Sequence, residues 1–89
     1  MRFTWDPKKA AFNLKKHGTT FEEAQTVFED PLALVQADRM HSDRMIILGV
    51  SSQARTLFVV YAESHVGDTF RIVSARQATN HERKAYEEE

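Results

Sequence analysis

The sequence predicts an α+β fold, in which a short N-terminal strand and two helices pack on an antiparallel β-sheet and a C-terminal helix closes the chain. Three observations lead there. Helix start and stop signals bracket residues 7–17 and 20–29, and a further start signal stands at residue 79. From Leu32 onward the apolar residues recur with a period of two or in short blocks, which is a strand pattern. The stretches between those blocks are short enough for hairpins, so a meander is favoured over parallel crossovers.

The first element is Arg2–Trp5, whose polar and apolar residues alternate so that Phe3 and Trp5 share a face. Asp6 is a good N-cap, Pro7 occupies the first helical position where its missing N–H costs nothing, and Gly18 is the expected left-handed terminator. Helix one therefore covers residues 7–17, with Ala10, Ala11, Leu14 and Phe12 as its apolar positions and Lys8, Lys9, Lys15 and Lys16 on the wet side. Thr20-Phe21-Glu22-Glu23 has capping-box spacing, and helix two runs to Glu29 with an apolar stripe of Ala24, Val27 and Phe28. Asp30-Pro31 stops it, because proline disfavours a helical residue before it. Strands are expected at 32–37, 44–50, 56–62 and 69–75, joined by turns at 38–43, 51–54 and 63–68. Thr79-Asn80-His81-Glu82 repeats the capping-box spacing and opens the last helix through Tyr86.

Composition limits what this fold does. The chain has 89 residues, 42% of them apolar, and no cysteine, which predicts one domain over 1–89 with neither disulfides nor thiolate chemistry. Apolar runs such as 57–62 fall far short of the roughly 20 residues of a membrane span, and the first residues lack a targeting core. No membrane partner is expected, and a reducing cytoplasm is the simplest home. A phosphate-binding glycine loop, a dinucleotide fingerprint, a His-Glu-x-x-His helix and a Gly-x-Ser-x-Gly elbow are all missing, which removes those enzyme classes. No two of the four His stand three or four residues apart, so neither a metal nor another cofactor is expected.

The near-neutral total charge hides a segregation. Residues 1–17 hold five Lys and Arg against Asp6, a net of +4, and residues 18–38 hold five acids and no base, a net of −5. Residues 71–86 return to +3, with Arg71, Arg76, Arg83 and Lys84 against Glu82. If the two basic segments meet, they form a field that favours a polyanion. Strict alternation through Arg71–Arg76 puts the two arginines on opposite faces. They converge only if Arg76 lies past the strand or if a bulge rotates it.

The residues also carry a resemblance. Phe3-x-Trp5-Asp6, Asn13-Leu14-x-Lys16-His17-Gly18 and Phe21-Glu22-Glu23-Ala24-x-x-Val27-Phe28-x-Asp30-Pro31 are similar to the opening of the BrnT family. The stretch from Arg44 to Gly49, Arg55-x-Leu57-x-Val59-Val60 and Arg71-Ile72-x-Ser74-Ala75-Arg76-x-Ala78-Thr79-x-x-Glu82-Arg83-x-x-Tyr86-Glu87 match its second half. The resemblance implies a ribonuclease toxin of a type II toxin–antitoxin system with a RelE-like fold. It also implies a BrnA-like ribbon-helix-helix antitoxin encoded by the adjacent frame, a toxin–antitoxin hetero-oligomer, and contact with DNA only through that antitoxin.

RNA cleavage by 2′-hydroxyl attack needs a base, cations over the phosphorane charge and an acid for the leaving oxygen. Arg71 and Arg76 suit the cationic role, the alternative being a pairing of one of them with Glu63 or Glu82. Arg55 is a third clamp or a solvated hairpin arginine. His17 offers acid or base chemistry, or caps the carbonyls of helix one. Tyr86 stacks a base, donates a proton or packs on the sheet. Lys16, His81 and Arg83 are candidate RNA contacts. A different class of function, a non-catalytic nucleic-acid- or protein-binding module, would use the same basic face.

Overall fold

The structure, a computed structural model, describes residues 1–64, 66 and 68–88. Parts of the predicted turn at 63–68, namely His65 and Gly67, and the terminal Glu89 lie outside the described residues. In chain order the elements are β1 (Arg2–Thr4), α1 (Pro7–His17), α2 (Phe21–Thr26) and a 3-10 turn (Val27–Glu29). There follow β2 (Leu34–Ala37), β3 (Met45–Val50), β4 (Thr56–Ser64), β5 (Thr69–Gln77) and α3 (Asn80–Glu87).

The strands form one sheet in the order β1-β5-β4-β3-β2. From β2 to β5 it is the expected antiparallel meander. β1 joins it parallel to β5, with Arg2 opposite Thr69 and Thr4 opposite Arg71, so the sheet is mixed. Helix two also differs from expectation, since its last turn tightens to a 3-10 geometry over Val27–Glu29. That turn presses Val27 against the sheet at Gly49, where a Cβ would stand 2.9 Å from the Ala33 Cβ and 3.1 Å from Val27 Cγ1. Only glycine admits so close an approach.

One face of the sheet is sealed. Phe21, Ala24 and Val27 pack on Ile47, Leu57, Val59, Tyr61, Ile72 and Ala75, with Phe3, Phe28 and Phe70 around them. Phe28 meets the Tyr61 ring edge-on at 4.9 Å, and Trp5 meets Phe21 in the same way at 5.9 Å. Burial of five or six large side chains in this way, each worth about 1.5–3 kcal/mol, supplies the main driving force for the fold. The packing corrects the predicted inward face of α1. Phe12 is 66% exposed and Leu14 48%, while Asn13 is the buried residue of the helix.

The cap signals are obeyed. Asp6 accepts a hydrogen bond from the Lys8 N–H, and Gly18 ends α1 at φ +68°. Thr79 and Glu82 form a reciprocal capping box at the start of α3. The equivalent box at α2 is half made. Thr20 accepts from the Glu23 N–H, but the Glu23 carboxylate turns away to other partners.

Candidate functional site

The opposite face of the sheet is only partly covered, by α3 at one end. Its composition follows from the register of β4 and β5. Val60 pairs with Ser74 and Tyr61 with Ile72, so Val73 is an extra residue on β5. The bulge returns Ile72 and Ala75, both buried, to the same packed face. It therefore brings Arg71 and Arg76 together on the other face, opposite Ala62 and Phe58. Of the two ways in which the arginines could come to one side, the structure uses the bulge, which gives them a common face. Their partners stand four residues apart on β4, about 13 Å along the strand.

A side chain that the sequence pattern hid holds this segment. β1 ends at Thr4, opposite Arg71, so the outer edge of β5 has no strand partner beyond that point. Asn13 supplies one from α1: its Nδ2 donates to the Ala75 carbonyl at 2.7 Å and its Oδ1 accepts from the Ala75 N–H at 3.1 Å. Nδ2 also donates to the Thr19 carbonyl at 2.9 Å, which ties down the chain after α1. The sequence signal for Asn13 was a polar residue amid the apolar positions of a helix, and its meaning depended on an edge 62 residues away.

The candidate residues divide into separate groups. Arg71 is exposed, and no side chain among the described residues engages its guanidinium. Arg76 pairs with Glu82, one of the alternatives left open above, through Nη1–Oε1 at 2.8 Å and Nη2–Oε2 at 2.9 Å. Its guanidinium lies 4.1 Å over the Phe58 ring, and Nη1 also donates to the Gln77 carbonyl. These bonds leave the Nε–H and one Nη2–H unspent, so Arg76 is oriented without being used up. The hydrogen bonds from Arg76 hold the Glu82 carboxyl below its ordinary value against the opposing push of burial. Such a group is a poor base, and Glu82 acts as a strut.

Lys16 and His17 stand beside this face. With Lys9, Phe12, Asn13, Val73 and Ser74 they line a cleft of about 250 Å³. Ser74 belongs to the face that carries Arg71 and Arg76, so the cleft borders that face. At the end of α1 the Gly18 N–H bonds to the Leu14 carbonyl.

Arg55 lies elsewhere, on the hairpin between β3 and β4. It pairs in a fork with Glu23, Nε to Oε2 at 2.9 Å and Nη2 to Oε1, and Ser51 adds a 2.6 Å bond to Oε2. The Glu23 side chain is 1% exposed, and the Arg55 hydrogen bonds lower its carboxyl despite burial. This structural pair, buried at Glu23 and part-exposed at Arg55, anchors α2 to the hairpin, and it accounts for the half-made capping box. Arg55 also lines a polar cleft of about 390 Å³ with Thr56, Gln77, Arg83 and Glu87. Arg83 is exposed and bonds Asn80 at 3.2 Å.

Tyr86 does not approach Arg71 or His17. Its hydroxyl donates to Asp30 Oδ2 at 2.5 Å, which raises the phenol to about 12. Asp30 was predicted only to stop helix two, yet it also accepts from the Val50 and Leu32 N–H groups. Burial pushes its carboxyl up, and the bonds from Tyr86, Val50 and Leu32 outweigh that push and leave it lowered. His81 is exposed beside Leu48, Phe58 and Glu82, in a groove between α3 and β2. Among the described residues no three His, Asp or Glu side chains gather as a metal ion would require.

The family model for the ribonuclease toxin BrnT of type II toxin–antitoxin systems matches residues 5–82. The chain belongs to this family. The BrnT match runs from Trp5 to Glu82 and so includes the bulge, both arginines and the Asn13 bridge. A solved structure agrees in fold: the 1.1 Å crystal structure of the Brucella abortus ribonuclease toxin BrnT superposes with a TM-score of 0.73 at 22% identity, covering 90% of this chain and 99% of that one. No curated protein matches the sequence. Among the described residues, no helix is long and apolar enough to cross a membrane.

Proposed function

We propose that this BrnT-family toxin is an endoribonuclease that cuts RNA without a metal ion and thereby stops translation and growth. The ribose 2′-oxygen attacks the adjacent phosphorus, the bond from phosphorus to the 5′-oxygen breaks, and a cyclic phosphate is left on the 3′ side. The 2′-hydroxyl proton passes to a base, and the leaving oxygen takes one from an acid. Arg71 supplies to the phosphate a guanidinium that no described side chain engages, and Arg76, on the same face and oriented by Glu82 and Phe58, adds a second cation. His17, at the border of the same face, is the proton-transfer group, with Lys16 beside it for the backbone. Arg55 and Arg83 contact the strand further along, at their own polar cleft. The observation that carries this reading is the bulge at Val73, which turns both arginines onto the partly uncovered face.

The test is cleavage of single-stranded RNA in excess EDTA, with the product ends identified. Cyclic 2′,3′-phosphate or 3′-phosphate ends are expected, and a deoxyribose at the cut position should block the reaction. Arg71→Ala and Arg76→Ala should each lower the rate by about 10²–10³-fold, with partial recovery for Arg→Lys. Restoration of activity by added magnesium, 3′-hydroxyl ends, or full activity in folded Ala variants overturns it.

The neutralising partner in this reading is a BrnA-like antitoxin from the adjacent frame that covers the basic face and brings in any contact with DNA. A complex burying at least about 1,000 Å² and occluding Arg71 or Arg76 is expected. Co-expression, pull-down and a nuclease assay on the complex check it. A complex that still cuts RNA at the rate of the free protein argues for the binding-module alternative.

A further inference from the structure

Phe12 has no role in holding the fold. It is 66% exposed and lies outside the core, and the other large apolar side chains left in water (Met1, Leu14, Leu32, Val35, Met40 and Val66) are all non-aromatic. Its surroundings are specific. Lys9 and Lys16 sit one turn to either side of it and line the same cleft, which His17, Val73 and Ser74 complete. The Lys16 ammonium is 5.8 Å from the ring centroid. From Pro7 to His17 the helix has four lysines and no acid.

We infer that this cleft is a nucleobase-stacking subsite for single-stranded RNA, in which Phe12 receives an unpaired base and Lys9 and Lys16 hold its flanking phosphates. The inference rests on the ribonuclease reading and adds to it the place where the strand runs beyond the cut. An aromatic ring offers a face on which any base stacks, and lysines on either side supply the charge that follows a backbone. A volume of about 250 Å³, below the ~300–1,000 Å³ of pockets that enclose a drug-sized ligand, suits one planar ring system that remains open on one side. The position suits it as well. Ser74 is shared between the cleft and the face of Arg71 and Arg76, so a strand that crosses Arg71 reaches Phe12 by way of Ser74, with the lysines of α1 alongside. An acid-free helix beside this face is matched to a polyanion more closely than to an apolar protein surface.

The experiment uses the full chain and an RNA oligonucleotide carrying 2′-O-methyl groups throughout, so that binding is read by fluorescence anisotropy without cleavage. Phe12→Ala should weaken binding by about 5- to 150-fold, the range for loss of one stacked base, with no change in melting temperature because the ring is exposed. Phe12→Tyr should bind as the parent does, and Phe12→Leu should fall with Phe12→Ala. On cleavable RNA the loss should appear in KM more than in kcat. Leucine that binds like phenylalanine shows a plain apolar contact and overturns the stacking subsite. So does Phe12→Ala that binds RNA normally but loses its grip on the antitoxin, which makes the cleft a protein contact. If the parent cleaves RNA and Phe12→Ala is indistinguishable from it, this inference alone fails. If the parent neither binds nor cleaves RNA, the ribonuclease reading fails first.

Discussion

On one side of the sheet Phe21, Val27, Leu57, Val59 and Ile72 are cut off from water beneath α1 and α2, while on the other side α3 has no buried residue. Two directional contacts tie α3 down: the Arg76–Glu82 fork and the hydroxyl of Tyr86 on Asp30. Apolar burial fixes the fold and has little sensitivity to angle or pH. Ion pairs and charged hydrogen bonds fix an orientation and depend on protonation and salt. The difference suits the proposed division of labour, because a guanidinium offered to a phosphate would need to be aimed and still reach solvent.

The largest effect should come from the packed face. Phe21→Ala should lower unfolding free energy by about 3–5 kcal/mol, read by urea denaturation, and α3 should unfold along with the rest. A loss below about 1 kcal/mol would break the contrast between the faces.

A smaller effect is expected where the two faces meet at the β5 edge. Asn13→Ala leaves the Ala75 N–H and carbonyl and the Thr19 carbonyl without their partner, at a cost of about 2–3 kcal/mol. Because Arg76 follows Ala75, RNA cleavage should slow more than the stability loss alone explains, which paired denaturation and rate measurements at a temperature where the variant is folded will show.

The smallest effect should be local to α3. Tyr86→Phe should cost about 1 kcal/mol and speed amide exchange in α3 while leaving β4 protected. Acid sharpens the same test. Glu82 and Asp30 have folded values below their ordinary 4.5 and 3.8, so their contribution is complete above those values and fades as the pH falls through the lowered ones. Amide exchange should therefore show α3 loosening in acid before the core strands do. If β4 opens together with α3, the helix is held by packing after all.

Sequence signals that act within a few residues were legible. Asp6, Pro7, Gly18, Thr20 and Thr79 each marked a helix end that the structure shows, because a cap is satisfied by backbone groups two to four positions away. The antiparallel hairpins were legible from short connections and apolar period. What escaped depended on partners far along the chain. Hydropathy placed Phe12 inward and gave Asn13 no role, since nothing near Asn13 shows that Ala75 will lack a strand neighbour. Glu23 has the spacing of a capping box, but an arginine 32 residues away is a better partner for its carboxylate than one N–H. The arginine pair was half legible. Alternation showed that Arg71 and Arg76 could not share a regular face, and only the pairing of β4 with β5 selects the bulge.

The Asn13 bridge has a consequence for how the molecule behaves in a crowd. A strand edge with free N–H and carbonyl groups is a template on which another chain can extend the sheet. At Ala75 both groups are occupied by a side chain rather than by a strand, so the β5 edge is finished off in a way that no second copy can continue. An amide on α1 thus does the work of a sixth strand at a single point, and it keeps a neighbour's strand from pairing with β5 there.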